Sequence, residues 1–169
     1  MNDFREVGVL KSFINIQLLD HLLEAYQNGD GAAKSVIDSF ADRKGFKPSD
    51  VTQCISCKET TLALLAGMIF LVRSHELPPI EEDKHKWWEL LELEEEDHGG
   101  DVRKKAIAII RNAIAHWDEQ GSGVNFISEA TEFSSRAGKL VLKDSGLHLL
   151  IMQMYGYTQH ITKKGSRTR

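Results

Sequence analysis

Apolar side chains recur along most of this chain at the three-to-four-residue spacing of a helix. Residues 4–27 place Leu10, Phe13, Ile14, Leu18 and Leu22 at that spacing and stop at Asn28-Gly29-Asp30-Gly31, a strong breaker. Residues 32–44 carry Val36, Ile37 and Phe40 on one face, and Gly45 suits the residue that ends a helix. Ser49 or Asp50 then caps a third helix expected to run to about His75. Its second half (Leu62, Leu64, Leu65, Met68, Ile69, Phe70, Leu71) is apolar nearly all round, which predicts a central, buried helix.

Pro78-Pro79 punctuates the pattern. Residues 81–97 mix many acids with Trp87, Trp88, Leu90, Leu91 and Leu93, which predicts a short amphipathic helix on the surface, ended by Gly99-Gly100. Asp101 caps the next helix, where Ile107, Ile110, Ile114 and Trp117 repeat as a core stripe. After Gln120-Gly121-Ser122-Gly123 the texture changes. Residues 124–127 and 139–142 are short and partly β-branched, as in a small hairpin. Asp144 or Ser145 opens a last helix with Leu147, Leu150, Ile151 and Met154 on one face.

The expected fold is therefore all-α. It is an up-and-down bundle of about five main helices, with an acidic surface helix and a short β-hairpin before the last helix. Residues 1–160 read as a single helical domain and 161–169 as a basic, frayed tail (Lys163, Lys164, Arg167, Arg169).

Composition narrows the function. The chain has 169 residues, of which 41% are hydrophobic and 27% charged, so it can bury a real core. The formal charge of −4 is uneven. Residues 81–97 hold nine acids against Lys84 and Lys86, a net of −7, which leaves +3 for the rest. That balance argues against a generic phosphate binder but permits a local basic surface. The longest apolar run, residues 62–72, has 11 residues, whereas a membrane span needs about 20. No leader-like segment opens the chain, so a cytoplasmic protein with no membrane partner is expected.

Other chemistry is sparse. Cys54 and Cys57 have redox or half-zinc spacing, yet no second ligand pair accompanies them, so two semi-buried structural cysteines are expected and no metal. His21, His75, His85, His98, His148 and His160 are scattered surface residues on this reading. Trp87 and Trp88 diverge by about 100° on a helix; one can anchor the acidic segment and the other meet a partner or dimer mate, with structural anchoring the expected role. Gly121-Ser122-Gly123 lacks the Lys-Ser/Thr of a phosphate-cradling loop.

The sharpest signal is Arg111-Asn112-Ala113-Ile114-Ala115-His116, near the end of the fourth main helix. Asn112 and His116, four apart, share a face, so the carboxamide can orient the ring. Arg111 and His116 point about 140° apart on an ideal helix. Two copies around a twofold axis would be needed to gather both groups at one cleft. A plain capping or ion-pairing role at the helix end is the structural alternative.

This run resembles the signature of the HEPN superfamily (higher eukaryotes and prokaryotes nucleotide-binding): an arginine, a polar neighbour, and a histidine a few residues on. A motif late in a helical chain, then a short β-prone excursion and a final amphipathic helix, is similar to plasmid-borne and defence-associated members. The acidic segment is the least family-like part. The resemblance implies a homodimeric, metal-independent endoribonuclease of toxin or defence type, with Arg111, Asn112 and His116 catalytic and no cofactor. It implies cleavage of RNA by 2′-hydroxyl attack to leave a 2′,3′-cyclic phosphate, and an antitoxin or regulatory protein as a further partner. The alternative is a catalytically inactive member that binds a partner protein or a nucleotide.

Overall fold

The computed structural model describes residues 4–72, 77–94, 100–117 and 121–167. The boundaries expected at His75, Gly99 and Gln120, and the histidine at 98, lie outside these residues. The chain divides into two compact units, Lys11–Leu65 on the one hand and Met1–Leu10 with Ala66–Arg169 on the other.

The smaller unit is helical. Helix α1 (Phe4–Gln27) enters it and ends at the Asn28-Gly29 breaker. Helix α2 (Gly31–Lys44) is capped by Asp30, whose Oδ1 accepts the Ala33 N–H at 2.8 Å. It closes on Gly45, which takes the left-handed conformation (φ 72°) that the sequence predicts there. The expected third helix is broken in two. Helix α3 (Pro48–Ser56) opens at a proline, with Asp50 accepting the Lys47 N–H at 3.3 Å. Cys57 then turns extended (φ −77°, ψ 150°), and α4 (Lys58–Ile69) begins. Leu62, Leu65, Met68 and Ile69 are buried, while Ala63 and Gly67, and Phe70 just past the helix, are exposed, so the apolar circumference of α4 is buried on one side only. Cys54 is exposed and Cys57 half-buried, its thiol donating to the Cys54 carbonyl at 3.2 Å.

The larger unit overturns the all-α expectation. Strands β1 (Leu91–Leu93), β2 (Gly123–Ile127), β3 (Ala130–Ser135) and β4 (Gly138–Lys143) form one antiparallel sheet in the order β1-β4-β3-β2. The chain is therefore mixed α and β. Strands do form at residues 124–127 and 139–142, but they do not pair with each other as the expected hairpin: β3 lies between them and pairs with both, its Thr131 and Phe133 pointing inward between more exposed neighbours. Among the described residues, the expected acidic surface helix is absent too. Residues 80–82 and 87–90 make short 3-10 turns, and Leu91 and Leu93 then pair with Leu142 and Leu140 of β4.

Helices α5 (Val102–Ala115) and α6 (Asp144–Arg167) pack on this sheet. Asp101 caps α5 as expected, its Oδ1 accepting the Arg103 N–H at 3.1 Å. Leu147, Leu150, Ile151 and Met154 of α6 are all buried. At Gly146 a Cβ would lie 2.8 Å from Leu142 Cδ1 and 3.0 Å from Leu90 Cβ, so the first turn of α6 can approach the sheet only without a side chain. Among the described helices, none is long and apolar enough to cross a membrane.

Candidate functional site

Polar side chains gather at both ends of α5. At its N-terminal end the Arg103 side chain is 1% exposed. Its Nη1 donates to Asp83 Oδ2 at 2.9 Å, Nη2 to Asp101 Oδ2 at 2.6 Å and to the Pro78 carbonyl at 2.9 Å, and Nε to Asp101 Oδ1 at 2.9 Å. The Tyr157 hydroxyl donates to the same Asp83 oxygen and accepts from Trp87 Nε1 at 2.9 Å. Burial opposes the Arg103 charge, yet its bonds to Asp101 and Asp83 outweigh that cost and hold its pKa above the ordinary arginine value. Burial, then the Asp83 bond, raises the Tyr157 pKa, so this phenol stays a donor. Hydrogen bonding from Arg103 lowers the Asp101 pKa.

The two tryptophans belong to this cluster. Trp87 is fully buried, and Trp88 lies edge-on to it at 6.2 Å with the Arg103 guanidinium 5.4 Å from its ring centre. Trp87 thus anchors the segment, and the half-buried Trp88 covers the guanidinium. A buried guanidinium with four hydrogen bonds to protein oxygens has no room for a substrate; this end of α5 is architecture.

The C-terminal end is open. His116 takes the C-cap position, its backbone N–H donating to the Asn112 carbonyl at 3.0 Å. The side chains of Asn112 and His116 share a face and line a cavity of about 120 Å³ together with Ser122 and Arg136. Asn112 is half-buried and His116 exposed. Ser122 precedes β2, and Arg136 sits in the β3–β4 turn. That turn is held by Ser135 Oγ, which accepts the Ala137 N–H at 3.1 Å. Gly138 follows with φ 127°, and a Cβ there would stand 3.3 Å from Ile109 Cδ1. The missing side chain lets the turn lie close on α5 and carry Arg136 to the helix end.

Of the expected residues, Asn112 and His116 thus meet, while the half-buried Arg111 is not part of this cavity lining. The helical geometry that separates Arg111 from His116 explains the split. Arg136 was missed; a lone arginine between two short strands carries no motif, and only its turn context marks it. Trp117, expected in the core stripe, is 44% exposed, because the helix ends before it and releases it from the stripe of Ile107 and Ile110.

The smaller unit holds a larger groove of about 660 Å³, lined mainly by apolar residues such as Leu22, Ile37, Phe40 and Ile55. It offers burial but little acid–base chemistry, with Asp50 its one carboxylate. The chain matches no family model, no curated protein and no solved structure.

Proposed function

We propose that this protein is a metal-independent endoribonuclease related to the HEPN superfamily, with His116 as its general base. The observation that supports it is the meeting of Asn112, His116 and Arg136 at one small cavity. A neutral imidazole takes the proton of a ribose 2′-hydroxyl. The 2′-oxygen then attacks the adjacent phosphorus, the bond to the 5′-oxygen breaks, and a 2′,3′-cyclic phosphate remains. The Arg136 guanidinium, always charged and planar, suits the charge that builds on the phosphorane oxygens. Asn112 orients the ring or holds a phosphate oxygen.

Arg111 enters this scheme only in a symmetric pair, where a second copy faces it toward the same cleft. The second His116 then returns a proton to the departing 5′-oxygen. Purified protein incubated with RNA in excess EDTA tests the reading. Cleavage that survives the chelator and disappears in His116→Ala, with an unchanged melting curve, is the expected result. Cleavage that needs a metal, or that persists in the variant, rejects it. Binding of RNA without any cleavage by the wild type favours the inactive-module alternative.

A further inference from the structure

A second cleft opens beside the His116 cavity, and Ser122 lines both. It has a volume of about 540 Å³, within the roughly 300–1,000 Å³ of small-ligand sites. Its walls mix apolar surface with hydrogen-bonding groups from Ser122, Asn125, Ser134, Ser135, Lys139 and Glu94. The sheet holds the backbone of Glu94 there, and its side chain is exposed. Its backbone N–H donates to the Lys139 carbonyl at 3.1 Å, one step beyond the β1–β4 pairing.

Charge runs along this surface with a direction. Arg136 and His116 stand at one end. Lys139 Nζ is paired with Glu132 at 3.0 Å, so its charge is largely answered. A neighbouring hollow of about 220 Å³, which Lys139 also lines, carries three carboxylates, Glu92, Glu94 and Glu132, against that one cation. A phosphate is repelled from the Glu94 end and drawn to the Arg136 end. A nucleotide whose phosphate lies at Arg136 therefore turns its base toward Glu94.

We infer that the cleft lined by Glu94, Ser122, Asn125, Ser134 and Lys139 is a nucleobase subsite beside the cleaved phosphate, with Glu94 accepting from the base's amino group. This inference rests on the ribonuclease reading for its position but not for its test. A carboxylate is an acceptor only, so it favours bases with an amino group, as in cytosine or adenine. Uracil and thymine present a carbonyl at the corresponding place and are disfavoured. Asn125 adds both a donor and an acceptor.

Fluorescence anisotropy with short oligodeoxynucleotides of cytosine, adenine or thymine tests this without cleavage, because DNA lacks the 2′-hydroxyl. The wild type is expected to bind the cytosine oligomer at least about fivefold more tightly than the thymine one. Glu94→Gln supplies a donor as well as an acceptor and should bring the two within about twofold. Asn125→Ala should weaken the cytosine oligomer several-fold, and His116→Ala should keep the discrimination. Equal binding of cytosine and thymine by the wild type, or full discrimination in Glu94→Gln, overturns the subsite even if RNA is cleaved. Discrimination by a protein that cuts no RNA keeps the subsite and discards the nuclease.

Discussion

Helix α5 presents an arginine cluster near its start and another past its end, about 20 Å apart along the axis. At the start, Arg103 is sealed among Asp83, Asp101 and the Pro78 carbonyl, and Tyr157 completes the Asp83 site. Past the end, Arg136 reaches over from a turn to a cavity that Asn112 and exposed His116 also line. Charge that is buried and ligated fixes the backbone; charge at the cavity is what the proposed function assigns to a substrate. On that reading the same helix separates holding the fold from the proposed chemistry.

That contrast can be broken most severely at Arg103. Arg103→Ala leaves Asp83 buried beside an empty site, and among the described residues Asp83 Oδ1 already has no hydrogen-bond partner. The expected loss is about 3–5 kcal/mol, read from the denaturant midpoint. A loss below about 1 kcal/mol means that the cluster does not hold the fold.

Arg136→Ala makes the opposite prediction. It should leave the midpoint within about 0.5 kcal/mol while slowing RNA cleavage about 100-fold. Stability lost in step with activity places Arg136 among the structural residues instead. A smaller effect is expected at Tyr157→Phe, which removes the donor to Asp83 and the acceptor for Trp87. About 1–3 kcal/mol should be lost, with cleavage unchanged once the protein is folded.

The smallest effect concerns acid. The folded pKa of Asp101 is lowered, chiefly by its bond to Arg103. Below the ordinary carboxylate value near 4 the unfolded chain binds this proton first, so stability is lost as pH falls through the folded pKa. Above that value the contribution is fully present. Asp101→Asn should flatten this acid limb of a stability-versus-pH series, and an unaltered limb argues against the assignment.

Much of the helical framework was legible because its signals are local. Asp30, Gly45 and Asp101 mark helix ends through short-range hydrogen bonds or a left-handed backbone, and α6 shows its apolar stripe openly. The sheet was harder to see. Strand β1 is three residues long, and its Leu-Glu-Leu alternation is too short to stand out from the surrounding acids. Strand β3 places Thr131 and Phe133 inward but has little other apolar signal. At the site, Asn112 and His116 share a helix face and could be read together from spacing. Arg136 joins them through the packing of a turn on α5, which spacing along the chain does not encode.

The most direct test of the central claim is the chemistry of the cut ends. An RNA oligonucleotide and its 2′-O-methyl counterpart, incubated with the protein and analysed by mass spectrometry, report which atom attacks phosphorus. The account predicts 2′,3′-cyclic phosphate ends from the RNA, none from the 2′-O-methyl strand, and none from either with His116→Ala. Equal cutting of both strands, or 3′-hydroxyl ends, contradicts it.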